Sequence, residues 1–467
     1  GGRLHNTQRL LLRAAVAAAV FLALLALWPS TPAMAQGCVN AATVLTTQDT
    51  TDPGSLRRAI ADLCPGGIIT FTPTLTASGP ATITLTSGEL TIAKTMTIHG
   101  PGANLLAISG NNTSRIFVVN PVTGTAQIDA LTLRDGAGAP GGAIRSDGPL
   151  TVTASIFTAN QSSSNGGGIA SAANSTLLVS DCTFDGNTAL TTNHAGGAIF
   201  GALSTSLDIR SSTFMNNQAY EAGAIRSSSS MYLSNSTLYN NRATSGGGSA
   251  LAGGDPTILI NTTIYSNSAP ANGGAVLGTA GDGTFTFYNA VVAGNSGGNC
   301  SADPVMGFIT ASHSVSTDAT CGGVFTQVPD ALLGPPGDYG GAMLTVPLLP
   351  GSPAIDAGNN AVCAWVYVDN RDQRGVPRPQ GKACDIGAFE SRGFTLAKGG
   401  GDNQMTLAGA PFAQPFTVTV ASAFGEPVGG GQLRLVGPAT GPGVTPITVT
   451  IPISATGPTT TTVSITS

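Results

Sequence analysis

The sequence predicts an all-β chain wound as a right-handed parallel β-helix, with a helix at its N-terminal end and a small β-module at its C-terminal end. Three observations carry this. An apolar-x-x-Asn step recurs every 24 to 30 residues through the middle of the chain. Glycine pairs or triplets open most repeats, and the apolar residues that follow them alternate with polar ones at strand period. Charged residues are only 9% of the chain, beside 63 Gly and 29 Pro, a composition of turns and neutral surface.

The same composition excludes several function classes. Lys occurs only at Lys94, Lys382 and Lys398, and the net charge is −5. No basic stripe is available for phosphates, so no nucleic-acid partner is expected. Glycine does not fall at every third residue, so a collagen helix is excluded. A hydrophobic content of 41% supports a folded core.

Residues 1–35 read as a secretory signal. Arg9 and Arg13 form the basic region, Ala14 to Trp28 the apolar run, and Ala33, Met34 and Ala35 the cleavage site before Gln36. The run is short for a membrane span, and Pro29 and Pro32 follow it. No second apolar run is long enough to span, so the mature chain is expected to have no transmembrane segment. The compartment is secreted or bacterial cell surface, with outer-membrane association open.

An exported chain with seven cysteines should pair an even subset. The local candidates are Cys38 with Cys64, Cys300 with Cys321, and Cys363 with Cys384. Each would contribute about 3 kcal/mol on the chain-entropy account. Cys182 is left over.

Leu56, Ala59, Ile60 and Leu63 have helical spacing, and Asp52, Pro53 and Ser55 are start signals. This helix would cap the exposed end of a solenoid. Weak rungs follow at Ile68 to Phe71, Ile83 to Leu85, Leu90 to Ile92, Met96 to Ile98 and Ile116 to Val119. The clear repeats then begin. Their apolar anchors are Phe157, Phe184, Phe214, Leu238, Ile264 and Val292. Three residues later stand Asn160, Asn187, Asn217, Asn241, Asn267 and Asn295. Seven and five residues before each anchor lie apolar positions such as Leu150 and Val152. Two before it lie Ser155, Cys182, Ser212, Ser236, Thr262 and Ala290. The alternation slips parity once before the anchor, so each unit is expected to hold two short strands meeting at a corner. Like residues would stack at about the 4.8 Å inter-strand spacing. The anchors then form a core stack and the Asn residues a turn ladder.

These residues resemble known families. The Gly-Gly-Ala-Ile and Phe-x-x-Asn repeats are similar to those of polymorphic outer-membrane proteins and related bacterial right-handed β-helix proteins. Leu348 to Gly358, Asp372 to Gly375, Arg378-Pro379 and Cys384 to Glu390 look like the choice-of-anchor Q domain. The resemblances cover residues 36–391 and imply an exported surface protein with no assigned chemistry. Beyond Phe394, spaced strands at Phe416 to Val420, Gly431 to Val436, Thr445 to Pro452 and Thr459 to Ile465 look like a bacterial Ig-like module. The expected organisation is a signal at 1–35, the β-helix at 36–299, its choice-of-anchor Q-like cap at 300–392, and the Ig-like module at 393–467.

Candidate chemistry is sparse. Residues 141–299 hold seven acids: Asp147, Asp181, Asp185, Asp208, Glu221, Asp255 and Asp282. Uronate lyases need clustered acids for Ca²⁺, and hydrolases need paired carboxylates. Asp181, Asp185 and Asp208 form the best trio, though solvated surface carboxylates explain them more simply. Gly136 to Gly141 fits Gly-x-Gly-x-x-Gly but opens no helix. Gly399 to Asp402 reads as a joint, and His194 as a lone turn histidine. A denser set at Asp356, Asp369, Arg371, Asp372, Arg374, Arg378, Asp385 and Glu390 reads either as an ion network ordering the cap or as a cation or glycan site, and the first is favoured. No catalytic, metal or cofactor site is assigned. The expectation is a non-enzymatic surface β-helix, an adhesin or envelope scaffold contacting glycans or surface proteins. The alternatives are a polysaccharide lyase or glycoside hydrolase, and a passive stalk.

Overall fold

The computed structural model describes residues 37–465 except 121–123, 190, 246, 272, 279–283, 302–308, 408, 409, 411, 437–445 and 454–459. The signal segment, Gly246 and Asp282 lie outside the described residues.

Each coil closes because single residues turn left-handed between short extended runs. In the coil anchored by Phe184 these are Gly166 (φ +72°), Asn174 (φ +60°), Asp181 (φ +54°) and Gly186 (φ +66°). One αL residue bends an otherwise extended chain sharply. The runs between them are strands Ile169–Ser171, Thr176–Ser180 and Thr183–Asp185. The next coil repeats them as Ile199–Gly201, Ser206–Arg210 and Thr213–Met215. Pairing is parallel and in register: Ile169 with Ile199, Leu177 with Leu207, Phe184 with Phe214. The result is a parallel β-solenoid whose first, second and third sheets carry 8, 11 and 11 strands among the described residues. A short fourth sheet of two-residue strands follows the Asn corner, from Ala137–Gly138 to Arg242–Ala243.

The coil thus has more strands than the two expected from the repeat. The Gly-Gly-Ala-Ile segment is itself the first-sheet strand, with Ile144, Ile169, Ile199 and Ile225 stacked inward. Three residues are too few to show an alternation. The glycines are there for the stacking. A Cβ on Gly197 would overlap the Gly223 carbonyl oxygen of the next coil.

The inward columns are fully buried. Phe157, Phe184 and Phe214 stack at 4.6 and 4.8 Å between ring centroids, within 9° and 5° of parallel. Leu238, Ile264 and Val292 continue the column in register. Beside it the Asn side chains form a buried ladder. Asn160, Asn187, Asn217 and Asn241 each donate from Nδ2 to Oδ1 of the next at 2.9 Å, and Asn267 donates to Asn295 at 3.0 Å. The second amide hydrogen goes to the preceding coil, as from Asn217 to the Phe184 carbonyl at 2.9 Å. A buried amide that satisfies its hydrogens twice avoids the cost of an orphaned polar group.

At the N-terminal end, helix Leu56–Asp62 starts at Ser55, whose side chain accepts the Arg58 N–H, and buries Leu56, Ala59 and Ile60. Cys38–Cys64 ties the first two strands, Val39–Val44 and Leu63–Phe71. At the other end stacking continues past residue 299. Strands Ile309–Ser312, Val315–Ser316 and Thr326–Gln327 extend the second and third sheets. Phe325 meets Phe287 edge-on at 5.0 Å, and Cys300–Cys321 closes the loop beside it.

The segment expected to cap the end lies along the side instead. From about residue 340 to 391 it runs back over the corner between the second and third sheets. It reads the outward column Thr213, Thr237, Thr263 and Val291. Gln373 bridges Thr213 and Thr237 at 2.6 Å each, and the Ala388 N–H donates to Thr263 at 3.0 Å. Ile386 and Phe389 pack on Val291. Cys363–Cys384 cross-links this flank.

The C-terminal region forms two small antiparallel sheets, Thr395–Gly400 with Phe416–Ala421 and Thr460–Ile465, and Gln432–Leu435 with Ile447–Thr450. Gly399 therefore lies inside a strand, at its register irregularity, rather than in a loose joint. No described helix is long and apolar enough to cross a membrane.

Candidate functional site

The solenoid separates the acidic trio. Asp208 projects outward from the second sheet and Asp185 from the third, while Asp181 occupies the αL corner between those sheets. Register places Asp208 beside Leu178, three residues before Asp181. Asp208 is held by Arg210 at 2.5 Å, and Asp185 accepts from Asn216 at 2.7 Å. Asp147 pairs with Arg145 at 2.9 Å, and Glu221 with Arg226. Asp255 accepts two bonds from Thr284, which hold its carboxyl below the usual range. Among the described residues no three His, Cys, Asp or Glu side chains are grouped to hold a metal. His194 lies in a turn, with its N–H on the Thr191 carbonyl.

Asp181 belongs to a column the repeat did not reveal. Residues three before each anchor are Ala154, Asp181, Ser211, Asn235, Asn261 and Asn289, all at positive φ between 44° and 54°. This is the parity slip. Its C-terminal members hold the flank. Asn289 exchanges bonds with the Asn359 backbone, and Asn235 donates to the Arg371 carbonyl at 3.0 Å. Further N-terminal the flank lifts away, and a cleft of about 500 Å³ opens over Asp181, Ser211 and Asn235.

The cleft's far wall is the loop around Tyr367. That ring stacks on Tyr232 at 5.5 Å, and the Arg210 guanidinium lies 5.0 Å from its centroid. Asp369 (φ +56°) and Arg371 are exposed on the same loop, beside Trp365 and Val366. Asp181 remains open to solvent in the cleft, yet the surrounding protein strips enough water to push its carboxyl above the usual range.

The denser charge set divides in two. Asp369 and Arg371 face the cleft. The others form an ion network that reaches the cleft at Asp372 and Arg374. Arg374 holds Asp372 at 2.7 Å and lies 3.5 Å over Phe389. Arg378 holds Glu390 at 2.9 Å and the carbonyls of Asp385 and Gly387. Asp385 accepts the N–H groups of Asp356 and Ser391, and the Asp356 carboxyl accepts the Ala383 N–H. Burial pushes Asp385 up to about 8, with Glu390 adding to it, and also raises Glu390. Fully buried Glu426 joins this network to the C-terminal sheets through Ser391 and Arg392 at 3.0 Å each.

No curated protein matches the sequence. A solved structure titled "Structure of PL6 family alginate lyase AlyGC" aligns at 11% identity and a TM-score of 0.24, over 65% of this chain. The chain spans only 55% of that protein's length, and a likeness at this level carries no argument about chemistry. Residues 81–264 match the family model described as "Right handed beta helix region". The stacked coils and that match agree: this part of the chain is a right-handed parallel β-helix.

Proposed function

We propose that this is an exported, non-enzymatic β-helix protein of the bacterial cell surface, an adhesin or envelope scaffold that contacts glycans or proteins. The disposition of outward charge supports the reading. Arg145 with Asp147, Arg210 with Asp208 and Arg226 with Glu221 are each paired within one coil. Carboxylates engaged this way are each held by an arginine of their own coil. Glycoside hydrolysis needs two carboxyls facing each other across the bond, and lyase chemistry needs acids gathered on a cation. In this reading residues 1–35 are a secretory signal, and the Gly-rich repeats are of the polymorphic outer-membrane type. Helix Leu56–Asp62 seals the solenoid's first coil. The choice-of-anchor Q-like segment and an Ig-like module follow.

The test is incubation of the mature chain with pectin, alginate and common glucans, with and without Ca²⁺. The expected result is no unsaturated and no new reducing ends, together with retention on immobilised glycans or surface proteins. Turnover that disappears in Asp181→Asn or Asp208→Asn would overturn the reading.

A further inference from the structure

We propose that the cleft where the flank lifts from the αL corner is a binding site for a neutral oligosaccharide, an inference that rests on the surface-contact reading above. Four observations meet there. The size is right: about 500 Å³ falls within the range of small-molecule clefts and accommodates two or three sugar rings. One aromatic ring stands on its wall. Tyr367 is fixed from below by Tyr232 and Arg210, and Trp365 lies on the same loop just outside the lining. A clamped aromatic offers an apolar face at little entropic cost, and a sugar ring offers matching C–H groups.

The polar groups suit hydroxyls. Asp181 and Asp369 can each accept two, and exposed Arg371 can donate. Asn235 is 3% exposed, and its Oδ1 has no partner among the described residues although its Nδ2 is bonded. A buried orphaned carbonyl oxygen at a cleft wall calls for a donor from outside. The charge also selects. The lining holds three acids (Asp181, Asp369, Asp372) and three arginines (Arg210, Arg371, Arg374). Arg374 is committed to Asp372, and Arg210 to Asp208. The free charge left is two carboxylates against one guanidinium, which disfavours uronates, sulfates and phosphates.

The experiment titrates the mature chain with cellohexaose, maltohexaose and mannohexaose, and with trigalacturonate as the anionic control. Trp365 fluorescence and calorimetry read binding. Three variants are compared: Tyr367→Ala, Asp181→Asn and Asp369→Asn. Both Asp residues are αL, a conformation Asn also tolerates, so these two keep the backbone. At least one neutral hexaose should bind, at least tenfold more weakly in all three variants, with thermal midpoints of the Asn variants unchanged. Neutral binding that the Asn variants leave intact would overturn the cleft while leaving the surface-contact reading standing. Binding of trigalacturonate alone would overturn the charge argument and with it the proposal. Failure to bind any of the four sugars would overturn the cleft, and failure also to be retained on any glycan or protein surface would overturn both readings.

Discussion

Cys182 shows how much a single position in a stacked fold is asked to do. Its column is otherwise Ser155, Ser212, Ser236, Thr262 and Ala290, all fully or nearly fully buried. The serines bond both ways. Ser212 accepts the Cys182 N–H at 3.2 Å and donates to the Arg210 carbonyl at 2.7 Å. Cys182 keeps the donation, to the Ser180 carbonyl at 3.1 Å. Burial, the largest cause, pushes its thiol up to about 12, so almost no thiolate exists at neutral pH. Thiol labelling of the oxidised native protein should find nothing reactive. Unfolding without reductant should expose one thiol, at Cys182. Rapid native labelling there would contradict the packing. The column was legible in the sequence because it holds only small residues at one phase of a period-two pattern. The αL column beside it was not. Its members, Ala154, Asp181, Ser211 and then three Asn, share a backbone angle rather than a side-chain property.

The flank is the element on which pH should act. Asp385 is raised to about 8 from 3.8, by burial first and then by Glu390. Its bonds from Asp356 and Ser391 pull the other way and are outweighed. A carboxyl raised in the folded state contributes stability fully below its unfolded value, and loses it as pH climbs through the folded one. The flank should therefore be more stable at pH 5 than at pH 9. Trp365 is the only tryptophan beyond residue 35, so its fluorescence reports this element. The midpoint of the Trp365 transition should fall between pH 5 and pH 9. A midpoint unchanged over that range would show that Asp385 is already ionised in the fold at pH 5. Reading this element from sequence failed in place rather than in chemistry. The paired Asp and Arg residues near Gly and Pro turns pointed to an ion network, and Arg374 and Arg378 form one. Nothing in its aperiodic run could say that it docks on Thr213 and Thr237. Those contacts span 160 and 136 residues respectively.

Across the whole molecule, each coil touches mainly its neighbours, so local stability should vary along the axis. The coils carrying Thr213, Thr237, Thr263 and Val291 have the flank bound to them as well. Native-state hydrogen exchange should be slowest in strands Thr213–Met215, Thr237–Tyr239 and Thr263–Tyr265, and faster in Ala81–Thr84. Equal protection along the third sheet would mean that the flank adds no stability. The Asn ladder has a different consequence at this scale. Every amide points the same way, from Asn160 towards Asn295 and on to Asn299 at 2.8 Å. At the near end Asn160 Oδ1 accepts the Gly136 N–H, and at the far end Asn299 donates to Ser316 at 2.9 Å. Aligned amide dipoles add head to tail and polarise one another. The solenoid is therefore an electrically directed rod, with its oxygen pole towards the N-terminus and its nitrogen pole towards the C-terminus. One inverted amide would set like poles against each other inside the core, so the column can hold a single sense only along its entire length.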